Sequence, residues 1–173
     1  VPPDWRPDPP LLVRARQTGG QLWVNKTLRN WTQSIHNLWK TLGRQVALGV
    51  SQSPQRHTLL SVSHPLIVPG GRFRESYYWD SYWIVRGLQL SGMNSTAAGI
   101  VDNLLDFVRR YGFVPNGGRA YYLTRSQPPL LSEMVRTLFT SQTGGPQINR
   151  TGHRSMTALA ARLPLLEAEH AFW

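Results

Sequence analysis

Apolar residues recur along this chain mostly three and four positions apart, the spacing of a helix face. From Thr27, the residues Leu28, Trp31, Ile35, Leu38, Trp39, Leu42 and Val46 share one side, predicting a long amphipathic helix that Gly49 and Pro54 end. Tyr82 to Leu90 is apolar almost throughout and predicts a buried helix. The stretch "NSTAAGIVDNLLDFVRRYG" carries its own start and stop. Ser95 or Thr96 can cap it, Ile100, Val101, Leu104, Leu105, Val108 and Tyr111 line a face, and Gly112 suits a left-handed terminus. Leu130, Leu131, Met134, Val135, Leu138 and Phe139 form a further stripe. A last helix is predicted from about Ser155, with Met156, Leu159 and Leu163, and Pro164 either kinks it or splits off a short turn.

The segments between these helices are long. Residues 1–24, with "PPDWRPDPP", predict an extended arm, because each proline fixes φ and biases its predecessor away from helix. "SQSPQRHTLLSVSHPLIVPGG" is too proline-punctuated for a helix, and a Gly-Gly-Pro linker precedes the last one. Strand signals are few; "RAYYL", a candidate short ribbon, is the best of them. Bundles connect their helices with roughly 2–8 residues, and two connections here are far longer. The pattern predicts an all-α domain over 25–173, about five helices of an α/α toroid or solenoid with functional loops between them. No internal sequence repeat is visible.

A chain of 173 residues fits one domain, and an apolar fraction of 40% excludes disorder throughout. No apolar run approaches the ~20 residues of a membrane span, so no transmembrane segment is expected. The net charge is +10, carried by 17 arginines and only two lysines, Lys26 and Lys40. These are scattered along the chain. Nucleic-acid binders concentrate basic charge on one face or tail, so no nucleic-acid partner is expected, and a polyanion-binding module is motivated by charge alone. Cysteine is absent, which excludes disulfides and thiolate metal sites. Four of the seven asparagines, Asn25, Asn30, Asn94 and Asn149, stand in Asn-x-Ser/Thr. Together they predict N-glycosylation and a secretory route. Val1 is no initiator and Trp173 falls inside an apolar helical pattern, so the chain is expected to be a piece of a longer protein.

Two loops hold the candidate chemistry, "PGGRFRESYYWD" and "PNGGRAYYLTRSQPP". Each opens with proline and a glycine pair, then carries arginine, aromatic rings and uncharged hydrogen-bonding groups. Aromatic faces suit the C–H faces of a sugar ring, and charged donors and acceptors suit its hydroxyls, at about 1.5–3 kcal/mol each. For Tyr78, Tyr82 and Trp83 core packing is an equal alternative. Neither glycine pair forms a dinucleotide or phosphate loop, and the five histidines show no metal-ligand spacing. Ser126 lacks a nucleophile-elbow context. Neither a metal nor another cofactor is predicted.

"PGGRFRESYYWDSYW" resembles the first signature of the trehalases, and "VPNGGRAYYLTRSQPPLL" resembles that family's next substrate loop. "HPLIVPGG" and "EAEHAFW" fit as well, most closely the animal enzymes, and the likeness covers essentially everything after the arm. The resemblance implies an (α/α)₆ toroid that hydrolyses α,α-trehalose to two glucoses with inversion and without a metal. It implies that Arg72 and Phe73 contact the glucosyl unit and that Trp79 and Asp80 form part of its pocket. Asn116, Arg125, Ser126 and Gln127 match the second loop's ligand contacts, with the glycines letting backbone approach the ligand. It also implies that the catalytic acid and base lie past Trp173, so that no residue here is catalytic and the chain alone is inactive. A truncated, non-catalytic carbohydrate-binding form is the alternative. Glu75 and Asp80 stand close in sequence to Arg72 and Arg74, which favours the ionised form, whereas a general acid needs the opposite. Animal relatives are implied to be extracellular or lipid-anchored.

Overall fold

A computed structural model describes residues 1–140 and 157–173. The helices are α1 (Pro10–Thr18), α2 (Gln21–Val24), α3 (Lys26–Leu42), α4 (Leu48–Gln52), α5 (Tyr78–Leu90), α6 (Asn94–Tyr111), α7 (Leu131–Thr140) and α8 (Leu163–Phe172). Five of these described helices reach ten residues or more: α3, α5, α6, α7 and α8. Two short strands, β1 (Gly43–Arg44) and β2 (Leu66–Ile67), pair antiparallel with Gly43 opposite Ile67. The architecture is all-α, an incomplete α/α toroid.

Helix α6 is the hub, packing against α5, α7 and α8. Its residues Ala97, Ile100, Val101, Leu104, Leu105, Phe107 and Val108 are buried against Val85 and Leu88 of α5 and Leu131, Met134 and Val135 of α7. Gly112 terminates it in the left-handed region, at φ +82°, as its sequence predicts. The Asn103 amide fastens the connector onto α6. Its Oδ1 accepts from the His64 N–H at 3.0 Å, and its Nδ2 donates to the His64 carbonyl at 2.9 Å. Gly99 permits that approach, since a Cβ there would stand 2.9 Å from the His64 Cβ.

Several expected boundaries move. The arm is non-helical only to Pro9, and even there a turn is closed by the Trp5 N–H onto the Pro2 carbonyl. From Pro10 it is helical, because proline is tolerated in a first turn whose N–H groups have no partner anyway. Helix α3 stops at Leu42, leaving Val46 outside, because Leu42 gives its carbonyl to the Val68 N–H and the chain enters β1. "RAYYL" forms a 3₁₀ turn at Ala120–Tyr122, not a ribbon. Residues 157–160 are helical and α8 begins anew with Pro164 in its first turn, so the proline splits this region. Ser155, Met156, Asn149, His153 and the Gly-Gly-Pro linker lie outside the described residues.

The cap of α6 is neither Ser95 nor Thr96. Asp4, from the arm, reaches across: its Oδ2 accepts from the backbone N–H of Ser95 (2.9 Å) and Thr96 (3.1 Å), and both hydroxyls donate to the same carboxylate. Next to it, Trp5 stacks on His36 at 5.5 Å, and His36 Nε2 donates to the Arg6 carbonyl at 2.7 Å. His36 is only 3% exposed. So α3 turns His36 toward the arm and Trp39 and Leu42 toward the core, while Leu28, Trp31, Ile35 and Leu38 of its apolar stripe are exposed among the described residues.

Candidate sugar-binding site

The first loop starts with a tight reversal. Gly70 N–H donates to the Phe73 carbonyl and Phe73 N–H returns the bond to Gly70 (3.3 and 3.0 Å). Gly70 and Gly71 sit at φ +110° and +59°, a region that L side chains rarely adopt. At Gly71 a Cβ would meet nothing, so within the chain that glycine answers to backbone conformation rather than to crowding.

The second loop is fastened along the first. Gly118 N–H donates to the Ser76 carbonyl (2.9 Å), Tyr78 N–H to the Asn116 carbonyl (3.2 Å), and Trp79 N–H to Gln127 Oε1 (2.9 Å). Here crowding does matter: a Cβ on Gly117 would stand 3.0 Å from both the Ser76 carbonyl oxygen and the Tyr122 ring, and one on Gly118 2.7 Å from Ser76 Oγ. On its far side the loop pairs with the connector, through Leu60 N–H to the Gly118 carbonyl and Ala120 N–H to the Thr58 carbonyl. Two segments some forty residues apart in sequence thereby become one rim.

Across that rim runs a ladder of rings. Phe73 meets Tyr77 edge-on at 5.4 Å, and Tyr77 meets Tyr122 at 6.0 Å. The Arg72 guanidinium lies 4.9 Å from the Phe73 centroid at one end, and that of Arg125 lies 5.1 Å from Tyr122 at the other. Both arginines are exposed, and neither guanidinium makes a hydrogen bond or ion pair among the described residues. The Asp80 carboxylate, in the first turn of α5, is likewise unpaired among them. Phe73 and Trp79 are each 41% exposed, so aromatic surface stands beside free charge. Such a combination can bind a neutral polyhydroxylated ring.

The remaining predicted residues divide differently. Ser126 Oγ donates to the Val114 carbonyl at 2.6 Å, and Gln127 Oε1 is taken by Trp79, so both hold loop shape in this structure. Asn116 uses its backbone to join Tyr78 and Arg125, through Asn116 N–H to the Arg125 carbonyl (2.9 Å). Glu75 does not pair with Arg72 or Arg74. It faces Arg119 Nε at 3.6 Å and accepts from the Tyr77 hydroxyl at 3.3 Å. Burial, the Tyr122 hydrogen bond and the Glu75 charge push the Tyr77 phenol above its usual range, keeping it a neutral donor.

The trehalase family profile matches residues 5–173. The chain belongs to the trehalase family. It is 48% identical to the trehalase of Pimpla hypochondriaca, over 86% of this chain and 24% of that one. Against the human trehalase it is 48% identical over 81% of this chain and 23% of the relative, and against a probable trehalase of Oryza sativa 46%, over 99% and 27%. The structure is similar to neutral trehalase Nth1 from Saccharomyces cerevisiae, with a TM-score of 0.56 and 29% identity, over 72% of this chain and 25% of that one. The chain therefore spans about a quarter of the length of the relatives it matches.

Within this trehalase-family chain, one anchor of the rim was not predicted. Tyr78, 1% exposed, accepts from the N–H groups of Leu130 (3.0 Å) and Leu131 (2.9 Å) and donates to Glu169 of α8, itself 3% exposed. Core packing is thus the right reading for Tyr78, although its hydroxyl does polar work. Tyr82 is half-buried and Trp83 is 57% exposed, so Trp83 is not core among the described residues. Glu169, one of two glutamates in the largely apolar "LLEAEHAFW", was the available signal.

Proposed function

We propose that the protein to which this chain belongs hydrolyses α,α-trehalose to two glucoses with inversion, and that this chain carries part of its sugar-binding site. The observation that supports this most directly is the fastening of the two motif loops into one rim, with Arg72, Phe73, Trp79 and Arg125 exposed along it and Asp80 half-buried beside them. In this reading Arg72, Asp80, Asn116, Arg125, Ser126 and Gln127 recognise hydroxyls, and Phe73 and Trp79 lie against ring faces. An inverting glycosidase needs an acid and a base about 6.5–9.5 Å apart, with room for water between them. We assign neither to this chain, since Glu75 is already engaged by Arg119 and Tyr77. The chemistry then belongs to the rest of the polypeptide, and the chain alone binds sugar weakly and does not cleave it. Asn25, Asn30 and Asn94, each in a sequon, have exposed side chains, which supports N-glycosylation and a secretory route; an extracellular or lipid-anchored location is proposed with it. Among the described residues no helix is long and apolar enough to cross a membrane.

The test follows both glucose anomers by NMR as trehalose is added to the full-length protein and to the 173-residue chain. The full-length protein is expected to release α- and β-glucose in equal amounts at first, and the chain none. Absence of release by the full-length protein overturns the activity. Release by the chain alone overturns the placement of the carboxylates outside it.

A further inference from the structure

The arm, α1 and α3 enclose a cavity of about 580 Å³, none of whose lining residues belongs to the rim. That volume suits a small ligand, for which sites run to about 300–1,000 Å³. One wall is apolar, made by Leu12 and Val13 of α1 and the half-buried indole of Trp23. The wall is held in place. Arg29 Nη1 donates to the Trp23 carbonyl at 2.9 Å with its guanidinium 4.8 Å from the indole centroid, and Gln33 Nε2 donates to the Pro7 carbonyl at 2.8 Å. Asp8 and Arg16 also line the cavity and are exposed, and neither makes a hydrogen bond or ion pair among the described residues. Asn30 of α3 lines it as well, and Asn30 is the asparagine of the sequon Asn30-Trp31-Thr32. Its side chain is exposed, as is that of Ser34 one turn further on, so the amide is open to solvent at the edge of the cavity.

We propose that the cavity seats the first sugars of an N-linked glycan carried by Asn30, so that the modification packs against the fold and joins α1 to α3. This rests on the reading of the protein as N-glycosylated and goes beyond it in giving one glycan a binding site. In the attachment, Asn30 Nδ2 loses a proton and bonds to the anomeric carbon of an oligosaccharide delivered on a lipid diphosphate, while the bond from that carbon to the diphosphate oxygen breaks. The first sugar, N-acetylglucosamine, has C–H faces and an acetamido methyl that fit Leu12, Val13 and Trp23. Its hydroxyls fit the Arg16 donors and the Asp8 acceptor. The tether favours this occupant over a free sugar, because attachment at the cavity's own wall makes seating intramolecular. Asn25 and Asn94 do not line the cavity and serve as internal controls.

The experiment uses no catalytic readout, so it fails or succeeds separately from the trehalose assay. The full-length protein is made in glycosylating eukaryotic cells, and peptide mapping by mass spectrometry follows each sequon during digestion with a peptide N-glycanase. Asn30 is expected to be occupied. Its glycan should leave the native protein roughly tenfold or more slowly than the denatured one, because release needs the sugar to quit the cavity first. Glycans on Asn25 and Asn94 should show no such gap. Val13→Arg puts a long side chain into the cavity and is expected to abolish the protection. An unoccupied Asn30 overturns the proposal together with the glycosylation reading at that residue; an occupied Asn30 released equally fast from both forms overturns the seating alone. Protection that survives Val13→Arg means that another part of the protein covers the glycan, and also overturns it. Hydrogen exchange supplies a second check. Asn30→Gln is expected to speed amide exchange in α1 for protein from glycosylating cells and to leave it unchanged for protein from bacteria; no difference in either pair removes the link between α1 and α3.

Discussion

The hydroxyl of Tyr78 donates to the carboxyl group of Glu169, 91 residues further along, while accepting the N–H groups that open α7. One phenol thus ties α5, α7 and α8 together directly below the rim, since Trp79, the next residue, is held by Gln127. Tyr78→Phe removes the oxygen and leaves two backbone donors and a buried carboxyl unpartnered. Each such group costs about 1–3 kcal/mol. A loss of about 3 kcal/mol or more in unfolding free energy, seen as a lower denaturant midpoint at unchanged m-value, is the expected result.

Glu169 makes stability depend on pH. Burial raises its pKa, and the Tyr78 hydrogen bond only partly opposes this. The folded state therefore holds the proton more tightly than the unfolded state does. Glu169's contribution is full below the ordinary glutamate range and is lost as pH rises through its raised value. Glu169→Gln keeps an acceptor for Tyr78 and removes the charge. It is expected to raise Tm on the alkaline side and to flatten the fall of Tm as pH rises above the ordinary glutamate range. An unchanged slope contradicts the assignment.

Asp4 acts in the opposite direction. Burial works against its ionisation, but hydrogen bonds from Thr96 and Ser95 prevail and hold its pKa below the usual aspartate range. Its contribution is present above the unfolded value and disappears as pH falls through the folded one. Asp4→Ala is expected to cost about 1–2 kcal/mol at neutral pH, as for other lost helix caps. Deleting residues 1–4 should cost at least as much. Thermal melts at neutral and acid pH check both.

In the full-length protein, Arg72→Ala and Arg125→Ala are each expected to lower kcat/KM for trehalose. A lost hydrogen bond to a charged group is worth about 1.5–3 kcal/mol, or roughly tenfold to 150-fold. Neither guanidinium has a hydrogen bond within the described chain, so Tm should barely move. Steady-state kinetics beside a melt separate the two effects. Unchanged kcat/KM in both variants removes these residues from the site.

Gly117→Ala is expected to push the loops apart, because its new methyl meets the Ser76 carbonyl and the Tyr122 ring at 3.0 Å. Gly71→Ala faces open space and pays only for its left-handed backbone, about 1–2 kcal/mol. The two variants should therefore part company in sugar affinity, with Gly117→Ala the worse. Steady-state kinetics of each full-length variant with trehalose, read as kcat/KM, measure it.

By itself the sequence determined the existence of α5, α6 and α7, the Gly112 stop and the two motif-bearing loops, because these depend on periodicity, turn chemistry and contiguous motif residues, though α5 starts at Tyr78, four residues before the expected Tyr82. Tertiary structure alone decided the rest. Asp4 capping α6, Tyr78 meeting Glu169, Glu75 facing Arg119 rather than its sequence neighbours, and the arm enclosing His36 of α3 all join segments far apart in the chain. Periodicity shows that a helix has an apolar side. Which part of that side is buried depends on what packs there, and for α3 the core takes Trp39 and Leu42 while the arm takes His36.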